Sequence, residues 1–97
     1  MGEVIIQDEK HEFYGVFVDE RNKEKREEII DILEVNGYNL DSDESRSKET
    51  IIDGFLPIVV DSINKEYRMM GNVTVAACAA QQKLLISKED FVNRYIN

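Results

Sequence analysis

The chain has 97 residues, of which 42% are hydrophobic and 33% are charged, a composition typical of a small globular domain and not of a disordered chain. Its 20 acidic and 12 basic residues give a net charge of −8. Up to Asp53 there are 16 acidic against 7 basic residues, and after it 4 against 5. An acidic amino-terminal half repels nucleic acid and anionic membranes and attracts basic proteins, so direct binding to DNA, RNA or a membrane is not predicted.

The sequence also bears on where the protein works. A lone cysteine, Cys78, excludes an internal disulfide and is typical of a reducing compartment. The first residues lack a basic region followed by a long apolar stretch, so no signal peptide is predicted. The longest unbroken apolar run, residues 75–80, is far shorter than the ~20 residues needed to cross a bilayer. We therefore expect a cytoplasmic protein with a single domain over residues 1–97.

Two apolar stretches near the amino terminus, residues 4–6 and 13–18, flank a polar segment and predict a β-hairpin over residues 3–18. Both faces of the second strand are apolar, and a two-stranded sheet is only marginally stable in water. The hairpin therefore needs the helices or a second copy of the chain to cover it. We predict a homodimer whose self-association residues are Phe13, Tyr14, Val16 and Phe17.

The next segment predicts a helix near residues 20–36, with Asp19 as its N-cap and Gly37 as its carboxy-terminal stop. Gly37 in a left-handed conformation would let Tyr38 pack back on Leu33. Spacings of four, three, four and three residues place five carboxylates on one stripe of this helix: Glu20, Glu24, Glu27, Asp31 and Glu34. Like charges at these spacings cost roughly 0.2–0.5 kcal/mol per pair, so the stripe is either a recognition surface or a well-solvated face.

Residues 39–48 are polar and predict a mobile loop, which adds the carboxylates Asp41, Asp43 and Glu44. The start of this segment matches the first ligand positions of an EF-hand calcium loop. The glycine required at position 6 is replaced by Arg46, and the glutamate required at position 12 by Ile52. We therefore predict no metal site and no cofactor.

The segment from residue 49 to residue 70 shows the clearest helical period. Its apolar seam consists of Ile52, Leu56, Val59, Ile63, Tyr67 and Met70. The pattern predicts a helix near residues 48–70, with Pro57 on the solvent side of a bend. A β-hairpin that turns at Asn64 and Lys65 is the alternative, but residues 58–63 do not alternate between apolar and polar.

The alanine-rich segment that follows predicts a helix near residues 73–86. It is apolar on every side, so we expect it to be the buried centre of the core. Ser87 begins a capping box for a last short helix near residues 88–96. The predicted fold class is therefore α+β, a small single domain in which about four helices pack on an amino-terminal β-hairpin.

Residues suited to catalysis are scarce. His11, the single histidine, lies in a predicted polar loop, and Cys78 lies among alanines with no cation nearby, the setting of an inert core residue. The sequence contains no glycine-rich phosphate loop and no Cys/His group with zinc-site spacing. We therefore predict that the protein is not an enzyme.

The pattern as a whole favours a non-enzymatic protein-binding module that docks a basic partner, such as a nucleic-acid-binding protein, through its acidic half. Inhibitors, immunity proteins and phage-encoded antagonists share this size and charge. Stripe charges about 5.3 Å apart along a helix are sparser than the ~3.4 Å spacing of phosphates on one DNA strand, so a nucleic-acid mimic would also need Asp8, Glu9 or the loop at residues 41–44. The alternative is an assembly protein that self-associates through its hairpin and apolar helices. The predicted partner-binding residues are Glu20, Glu24, Glu27, Asp31, Glu34, Asp41, Asp43 and Glu44.

Overall fold

The computed structural model describes residues 15–96, which form an α+β fold with a five-stranded mixed sheet and four helices. In chain order the elements are β1 (Val16–Val18), α1 (Lys23–Val35), β2 (Asn39–Leu40), α2 (Lys48–Asp53), β3 (Ile58–Asp61), β4 (Glu66–Met69), α3 (Val73–Gln81), β5 (Leu85–Ile86) and α4 (Lys88–Phe91), which continues into a π-helical turn at Val92–Ile96. The strand order is β2-β4-β3-β1-β5, and only β3 runs against the other four.

Helices cover both faces of the sheet, as the central strand β3 shows. Ile58 and Val60 belong to the larger hydrophobic cluster, whereas Val59 between them belongs to the smaller one on the opposite face. Successive side chains of a strand point to opposite faces, so a strand covered on both sides is apolar throughout. The larger cluster contains Ile29, Ile30 and Leu33 from α1, Ile51 and Ile52 from α2, and Phe91 from α4. The smaller one contains Phe17 and Ala79, so α3 lies alone on that face of the described sheet.

The start of α1 differs from the predicted one. Asn22 is the N-cap, and its side chain accepts a hydrogen bond from the backbone N–H of Lys25 at 3.0 Å. The predicted cap, Asp19, is still in extended backbone beside the sheet, where its N–H donates to the carbonyl of Ile86 at 2.8 Å. Both residues have short polar side chains suited to capping, and the pairing of β1 with β5 keeps Asp19 from entering the helix.

The end of α1 is as predicted. Gly37 has a φ of +89°, the N–H of Tyr38 donates to the carbonyl of Leu33 at 2.9 Å, and that of Gly37 donates to the carbonyl of Glu34 at 3.1 Å. These two bonds define a Schellman motif. Tyr38 is buried in the same cluster as Leu33, so the motif also fixes the path of the chain into β2.

The helix predicted near residues 48–70 is wrong beyond α2. The rest of the segment forms the antiparallel hairpin of β3 and β4, which was the alternative interpretation. The segment failed to alternate because β3 is buried on both faces, and a continuous apolar run does not distinguish such a strand from a helix. Pro57 is buried and not on a solvent-facing bend, and its carbonyl accepts a hydrogen bond from the N–H of Met70 at 2.9 Å.

The helix predicted near residues 73–86 is shorter and more exposed than expected. It ends at Gln81, and Leu85–Ile86 form the edge strand β5. Its buried residues are Cys78 and Ala79, whereas Ala77 is exposed, so the helix is not the centre of the core. Alanine favours helices whether buried or not, and its abundance was therefore a poor sign of burial. The last helix was predicted correctly, with the Ser87 side chain accepting from the N–H of Asp90 at 3.1 Å.

The predicted hairpin over residues 3–18 can be followed only in its last residues. Residues 3–14, with Phe13 and Tyr14, lie outside the described part of the chain. Strand β1 pairs with β3 through Phe17 and Val59 and with β5 through Phe17 and Leu85. Both of its edges are therefore occupied within the sheet.

The contrast between Ala77 and Ala79 provides a test of how α3 packs. Ala79→Leu should lower the free energy of unfolding by about 1–3 kcal/mol, because Ala79 is fully buried and a larger side chain would overpack the smaller cluster. Ala77→Leu, the matched control on the exposed side, should change it by no more than about 0.5 kcal/mol. Equal losses in urea denaturation would contradict this orientation of α3.

The Schellman motif of α1 provides a second test. Gly37→Ala should lower the free energy of unfolding by about 1–2 kcal/mol, because a side chain at positive φ is strained even where its Cβ meets no atom within 4 Å. Gly71→Ala is the control, since a Cβ there also has open space but the backbone φ is not positive. A loss of the same size at both glycines would mean that the motif is not what stabilises the end of α1.

Candidate functional site

The outward face of α1 carries the centre of the predicted acidic stripe. The buried side of the helix consists of Arg26, Ile29, Ile30 and Leu33. Glu24, Glu27 and Asp31 are exposed, and within residues 15–96 they form no hydrogen bond or ion pair through their carboxylates. We call these three residues the acidic ridge. They are like charges at helical spacing, and the cation four residues before Glu27, Lys23, forms its ion pair with Asp53 instead.

The two ends of the predicted stripe have structural contacts instead. Glu20 precedes the helix, and its carboxylate accepts a hydrogen bond from the backbone N–H of Asn22 at 3.1 Å. Glu34 accepts a hydrogen bond from the hydroxyl of Tyr67 at 2.8 Å and lies 3.3 Å from Nζ of Lys48. Burial and the Glu34 carboxylate raise the pKa of Tyr67, so the phenol stays protonated and tethers the end of α1 to β4.

Ion pairs neutralise the helix on both sides of the ridge. Lys23 at the start of α1 contacts Asp53 of α2, with Nζ and Oδ1 3.0 Å apart. Glu28 contacts Lys88 of α4 at 2.5 Å, and the hydrogen bond from this lysine lowers the pKa of the glutamate. Uncompensated negative charge on α1 is therefore concentrated on the ridge.

The loop predicted to be mobile is tied to the sheet. Oδ1 of Asp41 accepts a hydrogen bond from the N–H of Asp43 at 2.8 Å, and Oδ2 lies 3.6 Å from the guanidinium of Arg68. Asp43 is exposed, whereas Asp41 is partly buried. Of the three loop carboxylates, Asp43 is thus the one whose side chain is free of such contacts among the described residues.

Glu44 and Arg46 cover the outer edge of β4 where β2 ends. The buried carboxylate of Glu44 accepts a hydrogen bond from the N–H of Met69 at 3.1 Å, and Arg46 donates to the carbonyl of the same residue at 2.5 Å. Arg46 also binds Glu44 directly, with Nε and Oε2 2.8 Å apart. Burial acts to raise the pKa of Glu44, but the bonds from Arg46 and Met69 outweigh it and hold the pKa below its usual value. Glu44 and Arg46 therefore bond to backbone groups of β4 that a neighbouring strand would otherwise use. Glu44 was predicted to bind a partner, but its side chain is buried and not accessible to one.

Sequence reasoning missed Arg26, which is 0% exposed on the inner side of α1. All five of its N–H groups donate to the fold, and no described carboxylate forms an ion pair with it. The carbonyl of Ile51 accepts from Nε at 2.9 Å and Nη2 at 2.7 Å, those of Glu20 and Leu56 accept from Nη1 at 2.6 and 2.8 Å, and Sδ of Met69 accepts from Nη2 at 3.2 Å. Burial lowers the pKa of Arg26, while the nearby Glu20 and Asp19 oppose this.

One signal in the sequence could have revealed Arg26. It lies three and four residues before Ile29 and Ile30, which places it on the apolar side of the helix and not among the exposed charges. A charged residue on the buried side of an amphipathic helix has to find hydrogen-bonding partners in the core. Local sequence does not identify most of these partners, because the carbonyls of Ile51 and Leu56 and the sulfur of Met69 lie 25 or more residues away in the chain.

The predicted self-association residues are only partly within the described chain. Phe17 is buried in the smaller cluster and Val16 is partly buried against the larger one. A partner could contact Phe17 only by displacing α3. The role predicted for Phe13 and Tyr14 lies outside the described residues and stays a prediction.

Comparison of the chain with protein-family models, curated proteins and solved structures found no match. Between residues 15 and 96, no helix is both long and apolar enough to cross a membrane. The same residues contain no group of three or more His, Cys, Asp or Glu side chains placed to hold a metal ion. The acidic ridge is thus the candidate site that the described surface offers.

Arg26→Lys should lower the free energy of unfolding by about 2 kcal/mol or more. Lysine keeps the charge but cannot supply the planar fork of five donors, so buried carbonyls lose their partners. Arg21→Lys is the control, since the Arg21 side chain is exposed and makes only a long contact to Asp19. Equal and small changes for both variants in urea denaturation would contradict the structural role of Arg26.

Glu44 should make stability depend on pH in the acidic range. Its folded-state pKa is lowered, so its contribution is fully present above the unfolded value of about 4.3 and is lost as the pH falls through the folded value. The difference in free energy of unfolding between the wild type and Glu44→Gln should be constant near pH 6 and shrink below about pH 4. A difference that does not change with pH would show that the ionised carboxylate is not the stabilising form.

Proposed function

We propose that the protein is a non-enzymatic binding module, of the inhibitor, immunity or antagonist type, that docks a basic protein surface through the acidic ridge. The observation that carries this proposal is the distribution of ion pairs on α1. Glu24, Glu27 and Asp31 form no ion pair among the described residues, whereas Lys23, Glu28 and Glu34 on the flanks of the helix are paired with Asp53, Lys88 and Lys48. A surface with uncompensated like charge is suited to a partner of opposite charge.

The ridge is also pre-organised. Helix α1 is capped by Asn22, ended by the Schellman motif at Gly37 and attached to the core by Arg26. A charged face on a fixed helix needs little ordering when it binds, so more of the interaction energy is available for affinity. Fixed charges also steer an oppositely charged partner during diffusion, which raises the association rate and makes it sensitive to salt.

The negative charge of the ridge also bears on which class of basic protein the partner belongs to. Nucleic-acid-binding proteins carry basic surfaces that contact phosphates, and an acidic ridge would compete for such a surface. Close mimicry of nucleic acid is less favoured, because two of the three loop carboxylates that a mimic would need, Asp41 and Glu44, are paired with Arg68 and Arg46. We place this activity in the cytoplasm, in keeping with a single cysteine.

Charge reversal on the ridge tests the proposal. Glu24→Lys combined with Asp31→Lys should leave the fold intact, because both side chains are exposed, and should reduce capture of the partner from a lysate of the native host. Capture by the wild-type protein should fall steeply between low and high salt, and that dependence should be flatter for the variant.

The control is Glu49→Lys combined with Glu89→Lys, which changes net charge by the same amount at exposed sites off the ridge and outside the predicted partner-binding residues. Capture by the control should stay close to that of the wild type. Equal losses for the two variants would mean that only overall charge matters, and unchanged capture by the ridge variant would make the ridge a solvated face.

A further inference from the structure

Two apolar side chains stand out on the described surface. Val35, the last residue of α1, is 86% exposed, and Ile63, in the turn between β3 and β4, is 89% exposed, whereas the other exposed large apolar residues range from 54% to 62%. A single exposed aliphatic residue is ordinary and needs no explanation. Val35 lies four residues before Asn39 and Ile63 two residues before Lys65, and a backbone hydrogen bond joins Asn39 to Lys65, so both lie near the point where α1 and its acidic ridge end.

The turn that carries Ile63 is held by hydrogen bonds to the side chain of Asp61. Oδ1 of Asp61 accepts hydrogen bonds from the N–H of Ile63 at 3.0 Å and of Asn64 at 3.1 Å, and Oδ2 accepts from the side chain of Asn64 at 2.9 Å. Lys65 then adopts a φ of +57°, and its Nζ lies 4.7 Å from the ring centroid of Tyr38. An isoleucine that is 89% exposed is therefore held on a hydrogen-bonded turn, which lowers the entropy cost of burying it against a partner.

Val35 lies on the same face of α1 as the ridge and close in the chain to the segment that contacts this turn. Glu24, Asp31 and Val35 follow one another at spacings of seven and four residues, so they lie along one outward face of α1. The N–H of Asn39 donates to the carbonyl of Lys65 at 2.9 Å, which places the turn beside the segment that leaves α1. The outward face thus changes from acidic to apolar towards the carboxyl end of the helix.

We propose that Val35 and Ile63 are the apolar anchors of the same interface for which the acidic ridge is the charged rim. The partner is then a basic protein surface with an adjoining apolar pocket that accepts aliphatic side chains. This inference rests on the proposed function and extends it. Charged rims mainly set association rate and specificity, whereas apolar residues buried at the centre of an interface supply most of its affinity.

Charge decides against a second copy of the chain as the occupant. A homodimer formed through this end would bring two ridges, each with uncompensated negative charge, towards one another. Such an approach is repulsive, whereas a basic surface would be attracted by the ridge and guided towards the anchors.

Two synthetic peptides of equal charge test the proposal, one alternating lysine with leucine and one alternating lysine with serine. Binding is followed by the shifts of backbone amide signals in an NMR titration of the whole chain. We expect the lysine–leucine peptide to bind about tenfold more tightly and to perturb Val35 and Ile63 together with the ridge. Val35→Thr combined with Ile63→Thr should remove this advantage, and Val73→Thr should keep it, since Val73 is exposed at the opposite end of the sheet.

Each alternative result has a definite meaning. Equal affinities for the two peptides, with shifts on the ridge, would overturn the apolar anchors and leave the proposed function standing. No shifts on the ridge with either peptide would count against the proposed function itself. An equal loss of affinity in Val73→Thr and in the double variant would overturn the proposal, because the tighter binding of the lysine–leucine peptide would then come from non-specific apolar contacts. If the wild-type protein sediments as a dimer and Ile63→Thr sediments as a monomer, the turn binds a second copy of the chain and the proposal is overturned.

Discussion

The guanidinium of Arg26 is the contact on which the arrangement of the other elements depends. Its hydrogen bonds join the segment before α1, the carboxyl end of α2, the loop before β3 and strand β4. Its charge is stabilised by carbonyl dipoles, including that of Ile51 in the last turn of a helix, where a cation is favoured, and by the nearby carboxylates of Glu20 and Asp19. A buried cation is tolerated only when its donors are satisfied, and all five donors of Arg26 are.

The described acidic residues on and around α1 divide into two groups as a result of this arrangement. Once Arg26 fixes α1 against α2 and β4, Glu34 meets Tyr67 and Lys48, and Lys23 meets Asp53. These carboxylates stabilise the fold and have little left to offer a partner. The remaining ones on α1, on the ridge, are left without partners by the same geometry, which is why the proposed function is assigned to them.

Part of this structure could be predicted from the sequence and part could not. Local signals were sufficient for α1, for its end at Gly37 and Tyr38, and for the cap at Ser87, because each depends on residues within one helical turn. The hairpin of β3 and β4 was only the alternative to a helix, because β3 is covered by helices on both faces and its sequence therefore does not alternate. The candidate site was also predictable only in part. The exposure of the ridge follows from helical periodicity. The bond between Glu44 and the N–H of Met69 in β4 does not, because these residues are 25 positions apart in the chain.

The edges of the described sheet have a consequence for how the protein behaves when crowded. Both outer strands, β2 and β5, are only two residues long, and the stretch of β4 that β2 leaves uncovered is bonded to the side chains of Glu44 and Arg46. A foreign strand needs a row of free N–H and C=O groups as a template, and charged side chains at an edge remove such a row. These edges therefore offer a poor seed for cross-β aggregation, even though the sheet has apolar residues on both faces.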